Sequence, residues 1–167
     1  MRARRRDLQQ GLSMIELMIS LAISGLLMVS AGNLTQSWIA STRVNSALAV
    51  MTQGVSRARA IALRNPGGVA NGASAAILCV SDGTVRLFSA TRSPQAAATC
   101  QSSGGLWSAP LDSSASVQVN GTALSCLAFS NRGTAINPAA ASGSDTCPVS
   151  STLLISSASQ NATVTLN

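Results

Sequence analysis

From Leu12 to Ala31 the chain runs for 20 residues with a single charged side chain, Glu16. A helix of that length crosses the hydrocarbon core of a bilayer, and no other stretch restricts the fold as strongly. Ser13, Ser20, Ser24 and Ser30 are compatible with a span, because a helical Ser can return its hydroxyl bond to a backbone carbonyl one turn earlier. Arg2, Arg4, Arg5 and Arg6 stand just before the run, so the positive-inside bias holds the N-terminus in the cytoplasm and exports the remainder of the chain. This pattern predicts a single-pass protein with a periplasmic C-terminal domain. A secretory signal peptide is the alternative, but the run is long for one and Glu16 has no role there.

An ionised carboxylate inside a span costs roughly 2.5–3.5 kcal/mol at its centre, and less near an end, so Glu16 calls for a partner. A cut between Gly11 and Leu12 creates an α-amino group of reference pKa about 8, a cation that a neighbouring copy of the helix can bring to Glu16. The stretch "GLSMIEL", residues 11–17, resembles the processing site of type IV prepilins, in which a peptidase cleaves after a glycine and the next residue is N-methylated. The resemblance implies that Gly11 ends the leader, that Leu12 is the methylated N-terminus, and that Glu16 neutralises an adjacent subunit's N-terminus during filament assembly. It further implies residence in the inner membrane, incorporation into a pilus or pseudopilus, and prepilin peptidase and other pilins or pseudopilins as partners.

Beyond the span, Val44, Leu48, Met51, Val55, Ala58 and Ala62 recur at helical spacing and form one apolar stripe. Asn65-Pro66-Gly67-Gly68 stops the pattern. Gly32 and Asn33, weak helix formers, mark a place for a bend. The segment 43–65 resembles the second half of the long helix in the FimT/GspH group of minor pilins and pseudopilins, with "SRARAIALRN" before the first strand. Arg57 and Arg64, seven apart, read as a solvated face beside the stripe.

After Gly68 the texture changes to Gly, Ser, Thr and Ala with short β-rich runs. Residues 75–90 read as two strands around Asp82-Gly83, and 116–129 as two around Asn120-Gly121, both strong hairpin turns. Residues 152–167 supply a final pair, and polar loops cover about 91–105 and 133–148. The fold class is therefore α+β, a long N-terminal helix, half transmembrane and half amphipathic, with an antiparallel β-sheet domain; the prepilin resemblance implies that the helix packs on this domain in a type IV pilin-like fold. The expected organisation is a cleaved leader over 1–11, a transmembrane or filament-core helix over 12–31, an amphipathic continuation over 32–65 and a periplasmic β-rich domain over 66–167.

Cysteines stand at 79, 100, 126 and 147, and the chain has no His and no C-x-x-C, which argues against zinc. An even count in an oxidising compartment favours disulfides, with three possible connectivities. Cys79–Cys100 with Cys126–Cys147 is preferred, because each bond ties a strand end to the far side of one polar loop. Each closure is worth about 3 kcal/mol in the chain-entropy account.

The formal charge of +6 divides evenly: four Arg against Asp7 in residues 1–11, and seven Arg against Glu16, Asp82, Asp112 and Asp145 in the rest. Half of the basicity thus sits in the N-terminal tail. Without His a hydrolase triad lacks its base, no glycine-rich loop is followed by Lys, and Asp82 reads as a turn residue, so no catalytic residue, cofactor or metal is expected. The resemblance implies a minor type IV pilin that helps initiate or cap assembly. The alternatives are a minor pseudopilin of a type II secretion system, or a FimT-like pilin that binds DNA for natural transformation. Arg86, Arg92 and Arg132 are the candidate DNA contacts, since the tail 156–167 holds no Arg or Lys.

Overall fold

Ser13 leads into α1, Met14–Arg64, and its carbonyl accepts the first helical bonds from the N–H groups of Glu16 (3.0 Å) and Leu17 (3.1 Å). The computed structural model describes residues 13–138, 146–149 and 152–166, and within α1 it leaves the side chains of 30–34 undescribed. The chain divides into two compact units, Met1–Trp38 and Ile39–Asn167.

In the first unit the apolar side chains of α1 cover most of the helix surface, leaving one face on which Ser13, Glu16, Ser20 and Ser24 recur at spacings of three and four. Met14, Ile15, Leu17, Met18, Ile19, Leu21, Ile23, Leu26, Leu27, Met28 and Val29 are between 51% and 84% exposed. The expected span over 12–31 extends past the described side chains at both ends. Among the described residues, no helix is long and apolar enough to cross a membrane.

In the second unit one stripe of α1 is buried: Ala40, Val44, Ala47, Met51, Val55, Ala58 and Ala62, with Leu48 half-buried beside it. Small residues in that stripe let the helix approach the sheet closely. Asn65 ends the helix at φ 44°, a left-handed conformation that Asn tolerates, and its side-chain amide bonds both the N–H (2.9 Å) and the carbonyl (3.0 Å) of Val69.

Every strand pairing in the second unit is antiparallel, giving the α+β class. The largest sheet has five strands in the order β5-β2-β1-β8-β9: Trp107–Pro110, Thr84–Ser89, Ala76–Ser81, Cys126–Phe129 and Ala135–Ile136. A second sheet has the order β11-β10-β6-β7: Gln160–Thr165, Thr152–Ser157, Ser116–Val119 and Thr122–Ala123. β3, Thr91–Arg92, and β4, Gln95–Ala96, form a small separate ladder. Asp82-Gly83 turns β1 into β2 with φ of 49° and 65°, and Asn120-Gly121 turns β6 into β7 with 51° and 79°. Positive φ at both central residues is what a two-residue primed turn requires, and it explains why these dipeptides stand there.

The structure differs from the expected strand pairing in one respect. Residues 116–129 do not form one hairpin, because β7 is only two residues long and the chain then crosses to β1 in the other sheet. The reason is burial: Cys126, Leu127, Ala128 and Phe129 are each 2% exposed or less, so this strand needs cover on both faces and takes a central position. The expected loops also carry short strands, with β3 and β4 in 91–105 and β9 in 133–148, and β5 comes directly after the first of them.

Candidate functional site

Glu16 occupies the first turn of α1, three residues after Ser13, with its side chain exposed and no cationic partner among the described residues. The spacing Ser13-x-x-Glu16 is that of a helix capping box, and a carboxylate in the first turn also suits the positive end of the helix dipole. This local role is absent from the expectations above, although the Ser-x-x-Glu spacing carries it. Gly11 and Leu12, the expected processing and methylation positions, lie outside the described residues. One turn after Glu16, the Ser20 hydroxyl donates to the Glu16 carbonyl at 2.7 Å, so that serine satisfies its polar group within the helix.

The three candidate DNA-contacting arginines do not converge on one patch. Arg86 lies mid-sheet on β2, opposite Cys79 of β1 and Ser108 of β5, and faces two shallow cavities of about 310 and 460 Å³ that meet at Arg86 and Phe88. Arg92 and Arg132 are exposed and lie beyond one end of the same sheet, where Ser89, Ala76 and Phe129 stand in register. Arg64, in the last turn of α1, joins them at that end. The turn holding Arg132 is set against the helix, since a Cβ on Gly133 would meet Leu63 at 3.3 Å. Gly67 similarly abuts Ala90, and the Gln95 side chain donates to the Gly68 carbonyl at 2.7 Å.

The described carboxylates of this unit lie at the opposite end. Asp82 sits in the β1–β2 turn, and Leu111, next to Asp112, donates its N–H to the Gly83 carbonyl at 2.7 Å. Asp112 accepts bonds from the Ser114 hydroxyl and the Ser114 N–H (2.9 Å), and Arg43 Nε stands 3.5 Å from its other oxygen. The two Ser114 bonds hold its carboxyl below the ordinary value of 3.8; desolvation opposes them, and the Arg43 charge adds a lesser lowering.

Arg57 and Arg64 are both exposed, as a solvated face requires, and Arg57 also lies over an aromatic ring. Its guanidinium carbon lies 5.2 Å from the ring centre of Trp107, and that of Arg59 lies 5.9 Å from Phe129. Two disulfides join Cys79 to Cys100 and Cys126 to Cys147, and no described cysteine is free. No group of side chains suited to holding a metal ion occurs among the described residues.

The family "Prokaryotic N-terminal methylation motif" matches residues 6–32, which include Gly11, Leu12 and Glu16. No curated protein and no solved structure matches the chain. The match supports a type IV pilin or pseudopilin, and with it processing by prepilin peptidase, assembly with other pilins and a membrane-anchored subunit.

Proposed function

We propose that the protein is a minor type IV pilin, a structural subunit that helps initiate or cap pilus assembly after cleavage between Gly11 and Leu12. The carrying observation is Glu16, a lone carboxylate at the start of an exposed, largely apolar helix and inside the matched methylation motif. In this reading, residues 12–31 pass from the inner membrane into the filament core, and the new N-terminus of one subunit pairs with Glu16 of the next. The β-rich domain stays in the periplasm and then on the filament surface, with a structural and not a catalytic role. Membership of the FimT/GspH group rests on the resemblance over 43–65. A minor pseudopilin of a type II secretion system shares the same helix and the same processing, so it is the direct competitor.

The test is the amount of filament sheared from cells lacking the protein and from the same cells carrying wild type or Glu16→Ala. Loss of filaments in both the deletion and Glu16→Ala supports the pilus role. Unchanged filaments with a loss of exoprotein secretion move the assignment to the secretion system.

A DNA-binding pilin is the second reading, favoured by the grouping of Arg64, Arg92 and Arg132 at the end of the sheet away from Asp82 and Asp112. Three phosphate contacts give a log–log salt slope of about −2 to −3. Double substitution of Arg92 and Arg132 by Ala reduces that slope by about two if the rim binds DNA. Absence of binding by the wild type at low salt removes this reading.

A further inference from the structure

Cys79 and Cys126, the strand-borne halves of the two disulfides, are direct cross-strand partners on β1 and β8. The type of pair is set by the neighbouring hairpin. In a two-residue β-turn the flanking residues, Ser81 and Thr84, form a hydrogen-bonded pair, so odd-numbered residues of β1 bond to β2 and even-numbered ones to β8. The bond from Val80 N–H to the Ser125 carbonyl, 2.7 Å, agrees. Cys79 and Cys126 are therefore a non-hydrogen-bonded pair, the kind with Cα atoms about 4.5 Å apart and side chains closest. That separation lies within the range that a disulfide bridges, about 4.4–6.8 Å.

Access is asymmetric. Cys79, Cys126 and Cys147 are at most 5% exposed, whereas Cys100 is half-buried and lines the 310 Å³ cavity together with Cys79 and Cys126. An external thiolate thus meets Cys100 first, and the sulfur it displaces is the one beside the second disulfide.

We propose that these four cysteines form a thiol–disulfide exchange site with three bonded states, entered by a dithiol reductant at Cys100. One thiolate of the dithiol attacks Cys100 Sγ, the Cys79–Cys100 bond breaks, and Cys79 leaves as a thiolate. The second thiol of the reductant then attacks its own sulfur in the mixed disulfide, which releases Cys100 as a thiol and closes the reductant's disulfide. Cys79 attacks Cys126 Sγ, a Cys79–Cys126 bond forms, and Cys147 leaves and takes up a proton. The balance is one dithiol oxidised, one protein disulfide retained, and thiols at Cys100 and Cys147. Cys100 and Cys147 are then untied from the sheet, while β1 and β8 become joined to each other. The consequence is a subunit in which Cys100 and Cys147 can be tied or released without loss of the strand order beneath.

The test is partial reduction of the purified full chain with limiting dithiothreitol, alkylation and peptide mapping. Trypsin and chymotrypsin are used together, because trypsin alone leaves Cys100 and Cys126 on one peptide, residues 93–132. The expected species that retains one disulfide has Cys79 joined to Cys126, with Cys100 and Cys147 alkylated. Finding only the native pairs among such species overturns the proposal. The variants Cys100→Ser and Cys147→Ser provide an independent check, since each leaves one strand thiol beside the other disulfide. Cys79–Cys126 is expected in both without added reductant, and its absence from both also overturns the exchange.

Discussion

Gly54 of α1 packs directly against Leu78 of β1. A Cβ on Gly54 would stand 3.2 Å from both Leu78 methyl carbons and 3.1 Å from the Trp107 ring. Leu78 is fully buried in the row Leu127–Leu78–Leu87–Trp107, so it has no space to retreat. Gly54→Leu therefore overpacks the centre of the domain and is expected to cost about 1–3 kcal/mol, read as a lower urea midpoint at unchanged slope. An unchanged midpoint would show that the helix is not seated there.

Ala158 turns β10 into β11 at φ 50°, a left-handed conformation that costs an L-residue with a Cβ about 1–2 kcal/mol. Ala158→Gly removes that strain and returns part of the gain through greater unfolded-state freedom. The expected net gain is about 0.5–1 kcal/mol, seen as a rise of about 2–4 °C in Tm per kcal/mol. A fall in Tm would contradict the turn geometry.

Asp112 titrates below its ordinary range because it accepts two bonds from Ser114 and faces Arg43. Its folded-state pKa is lower than its unfolded one, so its contribution is present above the unfolded value and is lost as pH falls through the folded one. The Tm difference between wild type and Ser114→Ala is thus expected to be constant near neutral pH and to shrink in acid, below the ordinary value of 3.8. An NMR titration of the Asp112 carboxyl should show its pKa rise in Ser114→Ala. An unchanged titration would mean that Ser114 does not bond it in solution.

Much of the fold was legible because local chemistry decided it. Asp82-Gly83 and Asn120-Gly121 announce primed turns, and the stripe from Val44 to Ala62 announces a helix seated on one face. The destination of Cys126–Phe129 was not legible. Four consecutive apolar residues carry no period, and only the tertiary structure selects β1 as their partner. β5 was hidden as well, since Pro110 ends it and a proline is tolerated there only because the strand is at an edge. At the candidate site, sequence spacing singled out Glu16 but could not tell that Arg92 and Arg132 share one end of a sheet while Arg86 lies mid-strand. Charge counts locate residues along the chain, and register locates them in space.

Glu16 has two physical roles open to it, and they separate under one substitution. As the third helical residue after Ser13 it fits a capping box, a role that Gln also fulfils, with only the modest charge–dipole contribution of about 0.3–1 kcal/mol lost. As the partner of a neighbour's N-terminal amine it must be charged, and breaking a desolvated ion pair costs about 3–5 kcal/mol. Glu16→Gln therefore keeps the helix start and removes only the charge. If assembly depends on the ion pair, the amount of this protein in sheared filaments falls at least about tenfold while its level in the membrane fraction stays constant. If capping is the whole role, Glu16→Gln incorporates like wild type and Glu16→Ala alone is impaired. Comparison of the two variants in the same cells distinguishes a charge made useful by assembly from a charge that only opens a helix.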